Sequence, residues 1–164
     1  MTTKIVFLDR DGTLNKLKSD YVKNIKEFEI LPSVGKNLKK LSESGYILIL
    51  ITNQSAINRK LMTINDLNEI HNYLQSYLKS FDCKLDGIYF CPHIPDEQCK
   101  CRKPNTGLLK KALENYSEVD LIHSWFVGDS EFDIQTGKKF GLKTIKINSD
   151  DALDEYVNYI LNNS

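Results

Sequence analysis

The chain has 164 residues, which suits one domain with a full hydrophobic core. Its 22 Lys and Arg residues balance 22 Asp and Glu residues, so the formal net charge is zero. This balance argues against a nucleic-acid-binding protein, which normally carries a basic excess. No stretch approaches the ~20 apolar residues of a membrane helix, and MTTKIVFLDRD is too poor in apolar residues for a secretory signal. We expect one cytoplasmic domain over residues 1–164, without nucleic-acid or membrane partners.

Five short apolar segments alternate with helical patterns along the chain. The second segment, YILILIT, is apolar almost without a break, which is typical of a strand buried on both faces. Strands that alternate with helices predict a parallel sheet covered by helices on both sides. The fold is therefore expected to be α/β, with a Rossmann-like, doubly wound, mainly parallel sheet. The predicted strands are 4–8, 46–52, 87–91, 125–127 and 143–147.

Helix start and stop signals lie between these strands. The irregular stretch 15–31 could hold a small hairpin or flap, and residues 150–164 are expected to form a closing helix. The predicted helices run from Pro32 to a stop at Gly45, from the capping-box pair Thr63 and Asp66 to Phe81, from Thr106 to Tyr116, and from Ser130 to a stop at Gly141.

The motif DRDGT follows the first predicted strand. In such sheets ligands bind beyond the carboxyl ends of the strands. Asp9 and Asp11 place two like charges close together, and carboxylates crowded in this way repel one another. Either a cation holds them together or one of them reacts. Gly12 permits an unusual backbone turn or a close approach at this point.

Three further polar motifs, TNQS, CRKP and GDSEFD, lie near later strand ends. Hydroxyl, amide and cationic groups bind an anion, whereas carboxylates bind a hard cation. Together with DRDGT they predict a Mg²⁺-assisted phosphoryl-transfer site. Plainer interpretations exist: Asp133 could be a helix N-terminal carboxylate, Arg102 a surface cation and Asn53 a turn residue. The candidate side chains are Thr52, Asn53, Arg102, Lys103, Asp129 and Asp133.

The segment CPHIPDEQCKC predicts a metal site. Three thiolates and one imidazole on a short loop are typical of a closed, structural Cys₃His zinc site. A disulfide framework is not expected without a secretory signal, and reduced thiols clustered by chance are the other alternative. The loop runs directly into Lys103, so metal binding would set where this lysine points. Cys83 has no partner at ligand spacing and is expected to be a packed thiol. The predicted zinc ligands are Cys91, His93, Cys99 and Cys101.

Taken in order, DRDGT, TN, the lysine of CRKP and GDSEFD resemble the motifs of the haloacid dehalogenase (HAD) phosphatase superfamily over nearly the whole chain. The resemblance implies that Asp9 is a nucleophile that forms an aspartyl-phosphate. It implies that Asp11 is the general acid toward the leaving oxygen and then the base that activates water. Asp9, the Asp11 carbonyl and Asp129 would bind Mg²⁺. Neither of the usual positions leaves room for a large cap domain.

The remaining roles also come from the resemblance. Thr52 would bind the phosphoryl oxygens, and Lys103 would offset their charge and orient Asp9. Asp133 would support the metal site without binding the ion. Asn53, Arg59 and Arg102 are expected to contact the substrate, the two arginines at the far phosphate of a bisphosphate.

The cysteine loop narrows the resemblance to two HAD groups, the D-glycero-D-manno-heptose 1,7-bisphosphate 7-phosphatases and the histidinol phosphatases. TNQSAI and TGLL resemble the heptose group, whereas the short spacing from His93 to Cys99 matches the histidinol group. We expect a monomer that removes the 7-phosphate of a small phosphorylated sugar, the heptose 1,7-bisphosphate. Histidinol phosphate is the alternative substrate. A zinc-stabilised module that binds sugar phosphates without turnover also stays open, although the intact acidic and lysine motifs argue against it.

Overall fold

A five-stranded parallel sheet forms the centre of the structure, a computed structural model that describes residues 2–164. The strand order is β3-β2-β1-β4-β5, which is a doubly wound arrangement. The predicted α/β class and all five strands are confirmed, with strand ends that differ from the predictions by at most one residue. The strands are β1 (Lys4–Leu8), β2 (Tyr46–Asn53), β3 (Gly87–Cys91), β4 (Trp125–Gly128) and β5 (Lys143–Lys146).

Five α-helices connect or follow the strands, and residues Ile25–Glu27 and Pro95–Glu97 form short 3₁₀ turns. The capping box predicted at Thr63 is present, because the Thr63 hydroxyl accepts from the Asp66 N–H at 3.1 Å. The helices are α1 (Val34–Glu43), α2 (Ile64–Lys79), α3 (Gly107–Leu113), α4 (Glu131–Lys139) and α5 (Asp154–Asn162).

Helix ends account for the errors in the predicted elements. At the end of α2, the Phe81 N–H donates to Leu78, and at the end of α3, the Tyr116 N–H donates to Leu113. These i to i−3 bonds tighten the last turn and end the α-helical pattern before the predicted residues. At the start of α1, Ser33 has a φ of 65°, so the helix begins after it and not at Pro32.

Side chains of alternate residues in the central strands face opposite layers, as the period of two requires. Val6 and Leu8 of β1 pack in a hydrophobic cluster with α1, α2 and α5. Ile5 and Phe7 pack in a second cluster with α3, and α4 lies close behind Phe126 on the same side. The sheet is therefore buried on both faces, and its carboxyl edge is left for a ligand.

The crevice between β1 and β4 is the point where the strand order reverses, which is the usual ligand position in such sheets. The predicted flap over 15–31 is a loop closed by antiparallel contacts: Lys16 N–H donates to Glu29, and Leu31 N–H donates to Leu14. Within residues 2–164, neither this loop nor the segment 54–63 forms a cap domain. No helix in that range is long and apolar enough to cross a bilayer. The single-domain boundary at 1–164 stays a prediction.

Replacement of Leu50 by alanine tests the buried sheet. Leu50 lies in β2 at 0% exposure, so Leu50→Ala is expected to lower the free energy of unfolding by about 2–5 kcal/mol through lost burial and a cavity. Urea unfolding followed by circular dichroism measures the change. Leu61, at 50% exposure, is the control, and Leu61→Ala should change the stability by less than about 0.5 kcal/mol. Equal losses in the two variants would contradict the assignment of Leu50 to the core.

Candidate active site

The Lys103 ammonium lies at the carboxyl edge of the sheet, 3% exposed, and contacts three elements. It donates to Asp9 Oδ1 at 2.8 Å and to Asp133 Oδ1 at 2.6 Å. It also donates to the Ile51 carbonyl of β2 at 2.9 Å. All three ammonium hydrogens are thus used, and the lysine joins the ends of β1 and β2 to the start of α4.

Burial and charge act on this group together. Burial alone would lower the pKa of Lys103, but the charges of Asp133 and Asp9 outweigh it and hold that pKa above its ordinary value. Burial, followed by the Asp133 charge, raises the pKa of Asp9 well above its ordinary value, against the opposing influence of Lys103. One ammonium therefore does not fully compensate two buried carboxylates.

Asp133 is fully engaged by neighbours on the protein. Its Oδ2 accepts from the Ser130 N–H at 3.1 Å and from the Ser130 hydroxyl at 3.0 Å, which completes a capping box at the start of α4. Its Oδ1 accepts from Lys103. The plainer interpretation of Asp133 as a helix N-terminal carboxylate and its predicted supporting role are therefore both consistent with the same contacts.

Asp9 and Asp129 both line the crevice and lie close to each other. One carboxylate oxygen from each of Asp9, Asp129 and Asp133 lies within 4.8 Å of the other two. A side-chain carbon at Gly12 would overlap Asp129 Oδ2, and the φ of Gly12 is +83°, so this position requires glycine. Both oxygens of Asp133 are engaged, whereas Asp9 and Asp129 each keep one oxygen that accepts no hydrogen bond within residues 2–164, so these two carboxylates are available to a cation. The residues present fit a hard divalent ion.

Asp11 is surrounded by donors. Its Oδ1 accepts from Arg10 Nη2 at 2.9 Å and from Asn15 Nδ2 at 3.0 Å, and its Oδ2 accepts from Gln54 Nε2 at 2.8 Å. Burial would raise the pKa of Asp11, but the Arg10 charge and the hydrogen bonds from Asn15, Arg10 and Gln54 lower it below its ordinary value. The directions of the pKa shifts of Asp9 and Asp11 are therefore opposite.

Thr52 and Asn53 follow one another at the end of β2. The buried Thr52 hydroxyl accepts from Gln54 Nε2 at 2.8 Å. The Asn53 amide accepts from the Lys103 N–H at 3.0 Å and donates to the Lys103 carbonyl at 3.2 Å. Both polar groups of Asn53 are thus bound to the backbone of the lysine. The structure gives Asn53 a positioning role, and its contact with a substrate stays a prediction.

The two predicted substrate arginines differ in position. Arg102 Nη1 donates to the His93 carbonyl at 3.2 Å, and Arg102 lines a cavity together with Lys103 and Phe132. Arg59 lies over the Tyr21 ring at 5.9 Å, and neither arginine is among the residues that line the carboxylate crevice. Contact with a substrate therefore stays a prediction for both arginines.

The predicted zinc ligands come together at the end of β3. Their Sγ and Nδ1 or Nε2 atoms all lie within 4.8 Å of one another, and the Arg102 N–H donates to Cys99 Sγ at 3.3 Å. The four donors are Cys91, His93, Cys99 and Cys101, and the cysteines are unpaired thiols in the described chain. The donor set fits a tetrahedral thiolate–imidazole metal site. Cys83 is buried elsewhere, as expected of a packed thiol.

The crevice has the components of phosphoryl transfer. It has a volume of about 400 Å³ and is lined by Asp9, Asp11, Leu17, Asn53, Lys103, Asp129, Ser130 and Ser149. Carboxylates, one ammonium and hydroxyl groups meet at this edge of the sheet, and this set can bind a divalent cation together with a phosphoryl group.

Comparisons with known proteins agree with this geometry. The family model described as polynucleotide kinase 3 phosphatase matches residues 4–150. The chain is 39% identical over 151 residues to the D-glycero-beta-D-manno-heptose-1,7-bisphosphate 7-phosphatase of Haemophilus ducreyi. The aligned region covers 88% of this chain and 82% of the relative. The D,D-heptose 1,7-bisphosphate phosphatase of B. bronchiseptica, solved with magnesium and phosphate, superposes with a TM-score of 0.84 at 29% identity. That match covers 99% of this chain and 100% of the other.

The chain belongs to the HAD-superfamily heptose bisphosphate phosphatases. It is also 36% identical over 148 residues to the histidine biosynthesis bifunctional protein HisB of Blochmanniella floridana. That alignment covers 89% of this chain and 41% of the other protein. The HAD resemblance is thus confirmed, and the chain is a phosphatase and not a binding module without turnover.

Several contacts in this phosphatase were not predicted from its sequence. Ser149, after β5, donates to Asp129 Oδ2 at 2.7 Å. The fully buried Arg10 bridges Asp11 to His71 of α2, with a distance of 3.2 Å between Arg10 Nη1 and His71 Nε2. Arg10 stood inside the quoted motif DRDGT, which offered a signal, whereas nothing near His71 in the sequence indicated a link to the site.

His71 predicts a pH dependence of stability. Burial, and then the Arg10 charge, lower the pKa of His71 from 6.5 to about 3. Between these pH values the unfolded chain binds more protons than the folded chain does. The contribution of a neutral His71 to the free energy of unfolding is therefore full above pH 6.5 and is lost as the pH falls. We expect a loss of roughly 2 kcal/mol between pH 7.5 and pH 5 from this group. Urea unfolding at both pH values measures it.

The control compares His71→Gln with a change at an exposed position. His71→Gln should remove this loss, whereas Leu61→Ala, at 50% exposure, should leave it unchanged. Equal changes in stability between pH 7.5 and pH 5 in the wild type and in His71→Gln would contradict the neutral, buried state of His71.

Proposed function

We propose that the protein is a Mg²⁺-dependent phosphomonoesterase that removes the 7-phosphate of D-glycero-D-manno-heptose 1,7-bisphosphate through an aspartyl-phosphate on Asp9. The observation that carries the proposal is the bond of Lys103 to both Asp9 and Asp133, beside Asp129, at the point where the strand order reverses. The names of the relatives in the family supply the substrate.

The reaction has two displacement steps. A carboxylate oxygen of Asp9 attacks phosphorus, and the bond from phosphorus to the sugar oxygen breaks. Asp11 gives its proton to that oxygen, so it must enter this step protonated although its surroundings lower its pKa. Water then attacks the aspartyl-phosphate, Asp11 takes the proton of the water, and the bond from phosphorus to Asp9 breaks. Inorganic phosphate leaves, and both carboxyl groups return to their starting states.

Lys103 and Thr52 serve the phosphoryl group in both steps. The ammonium keeps Asp9 oriented and offsets charge on the transferring oxygens, and Thr52 donates its hydroxyl proton to one of them. Asn53 keeps Lys103 in place through the two bonds to its backbone.

Asp9, the Asp11 carbonyl and Asp129 would hold Mg²⁺. When bound, the ion supplies positive charge that stabilises the transferring phosphoryl oxygens. The support from this chain is the uncompensated negative charge of Asp9 and Asp129, together with the hydrogen bond from Ser149 that orients Asp129.

We propose that Cys91, His93, Cys99 and Cys101 bind structural Zn²⁺. The protein would fill all four coordination positions of the ion, so none would be left for a substrate. The site ends two residues before Lys103, and it would therefore stabilise the loop that carries the lysine. Reduced cysteines of this kind favour the cytoplasm as the compartment, and a monomer is the proposed oligomeric state.

Arg102 is proposed to bind the far phosphate of the bisphosphate, because it lines a cavity next to Lys103. Arg59, which lies over the Tyr21 ring, is proposed as a further contact. Histidinol phosphate is the second candidate substrate, favoured by the match to the bifunctional histidine biosynthesis protein and by the short cysteine loop.

Phosphate release with Mg²⁺ tests the substrate and the nucleophile. Heptose 1,7-bisphosphate is expected to exceed histidinol phosphate by ~100-fold in kcat/KM, or about 2.7 kcal/mol of transition-state discrimination. Asp9→Asn should lower turnover at least ~10³-fold. Asp82→Asn, a carboxylate at 91% exposure, is the matched control and should retain activity. The reverse substrate preference would place the protein in histidine synthesis, and full activity in Asp9→Asn would overturn the mechanism.

Metal analysis tests the cysteine site. Protein purified without chelators should contain about one equivalent of zinc, and Cys99→Ser should lower both the zinc content and the Tm, because structural metal binding contributes to folding. Cys83→Ser, which lies outside the cluster, should keep the zinc. Less than about half an equivalent in the wild type would refute the assignment.

A further inference from the structure

Arg10 is a buried cation that the reaction steps above do not use. Its side chain is 0% exposed and lies between the end of β1 and helix α2. Nη2 donates to Asp11 Oδ1 at 2.9 Å, Nη1 lies 3.2 Å from His71 Nε2, and the guanidinium lies 5.6 Å from the centre of the Phe28 ring. A buried charge is unfavourable unless it is paired, and the partner of Arg10 is the Asp11 carboxylate.

The donors around Asp11 are unequal. Oδ1 accepts a charge-assisted bond from Arg10 and a second bond from Asn15, whereas Oδ2 accepts from the neutral amide of Gln54. A guanidinium stabilises negative charge on the oxygen that it contacts more strongly than an amide does. The proton of a protonated Asp11 therefore belongs on Oδ2.

His71 supports Arg10 from the hydrophobic side. The imidazole is buried in α2, a helix whose Leu67, Ile70 and Leu74 are part of the core, so the ring is held firmly. A neutral ring accepts the Nη1 hydrogen at Nε2, and its own proton then lies on Nδ1. The guanidinium is thus held at one end by a helix of the core and contacts Asp11 at the other.

We propose that Arg10 is a positioning residue held in place by His71, and that the pair fixes the Asp11 carboxyl so that Oδ2 delivers the proton to the leaving oxygen. The inference rests on the proposed function, because it assigns a task within the Asp11 step. Neither Arg10 nor His71 lines the crevice, so both act through Asp11.

The leaving group distinguishes this role from a purely structural one. An alkoxide is strongly basic and needs the proton from Asp11, whereas p-nitrophenolate leaves without one. Misplacement of Asp11 must therefore lower kcat/KM for an alkyl phosphate more than for p-nitrophenyl phosphate. Loss of folded protein lowers both rates by the same factor.

The experiment measures kcat/KM for p-nitrophenyl phosphate and for the better of heptose 1,7-bisphosphate and histidinol phosphate, both alkyl esters, with Mg²⁺. Arg10→Met should lower the alkyl rate at least ~10-fold more than the aryl rate, a part of the ~10²–10⁴ supplied by a general acid. His71→Leu should shift the ratio in the same direction. His71→Gln, which offers an amide oxygen to Arg10, should recover the wild-type ratio. Leu74→Ala, a core change on the same helix, should lower both rates equally.

A double-variant cycle completes the test. In an Asp11→Asn background, Arg10→Met should not change the ratio of the two rates further, because the group through which it acts is gone. Equal losses on both esters in Arg10→Met and in His71→Leu would overturn the inference while the proposed function stands. If Arg10→Met does not fold, the contrast between His71→Leu and His71→Gln decides alone. A wild type that hydrolyses none of the esters would overturn the proposed function and this inference together.

Discussion

One buried ammonium, that of Lys103, organises the carboxyl edge of the sheet. Its three hydrogens are donated to Asp9 after β1, to the Ile51 carbonyl in β2 and to Asp133 at the start of α4. An unpaired charge at 3% exposure would be strongly unfavourable, so these partners must be in place whenever the chain is folded. Asp9, Lys103 and the Asp133 cap of α4 are therefore a single constraint, and their relative positions follow from it.

Lys103 belongs to a loop, and loops are usually mobile. Contacts from other parts of the chain must therefore fix the position of its side chain. Asn53 provides some of these contacts, since both polar groups of its amide bind the lysine backbone. The cysteine and histidine cluster provides the rest, because it ends at Cys101 and receives the Arg102 N–H at Cys99 Sγ. A strand end and the loop that carries the cysteine and histidine cluster thus hold the two sides of one residue, which explains why the two predicted motifs lie next to each other in the sequence.

Local signals made much of this predictable. Period-two and helical patterns, together with capping pairs such as Thr63 and Asp66, give the strands, most helix starts and the edge at which the polar motifs meet. The last turns of α2 and α3 could not be predicted, because a change from i−4 to i−3 bonding leaves no compositional signal. The link from Arg10 to His71 joins residues 61 positions apart and depends on how α2 packs. Tertiary packing also directs Arg59 onto Tyr21, which the charge of an arginine alone does not indicate.

The electrostatics of the two carboxylates explain why the site calls for a cation. The chain alone raises the pKa of Asp9, mainly through burial and the Asp133 charge, and lowers that of Asp11. The proposed mechanism requires an ionised Asp9, and positive charge beyond that of Lys103 would favour this form. Asp129 provides a second carboxylate at the distance where one divalent ion can contact both. The crowding of acidic residues at one sheet edge, where DRDGT already places two of them, therefore fits the proposed binding of a cation.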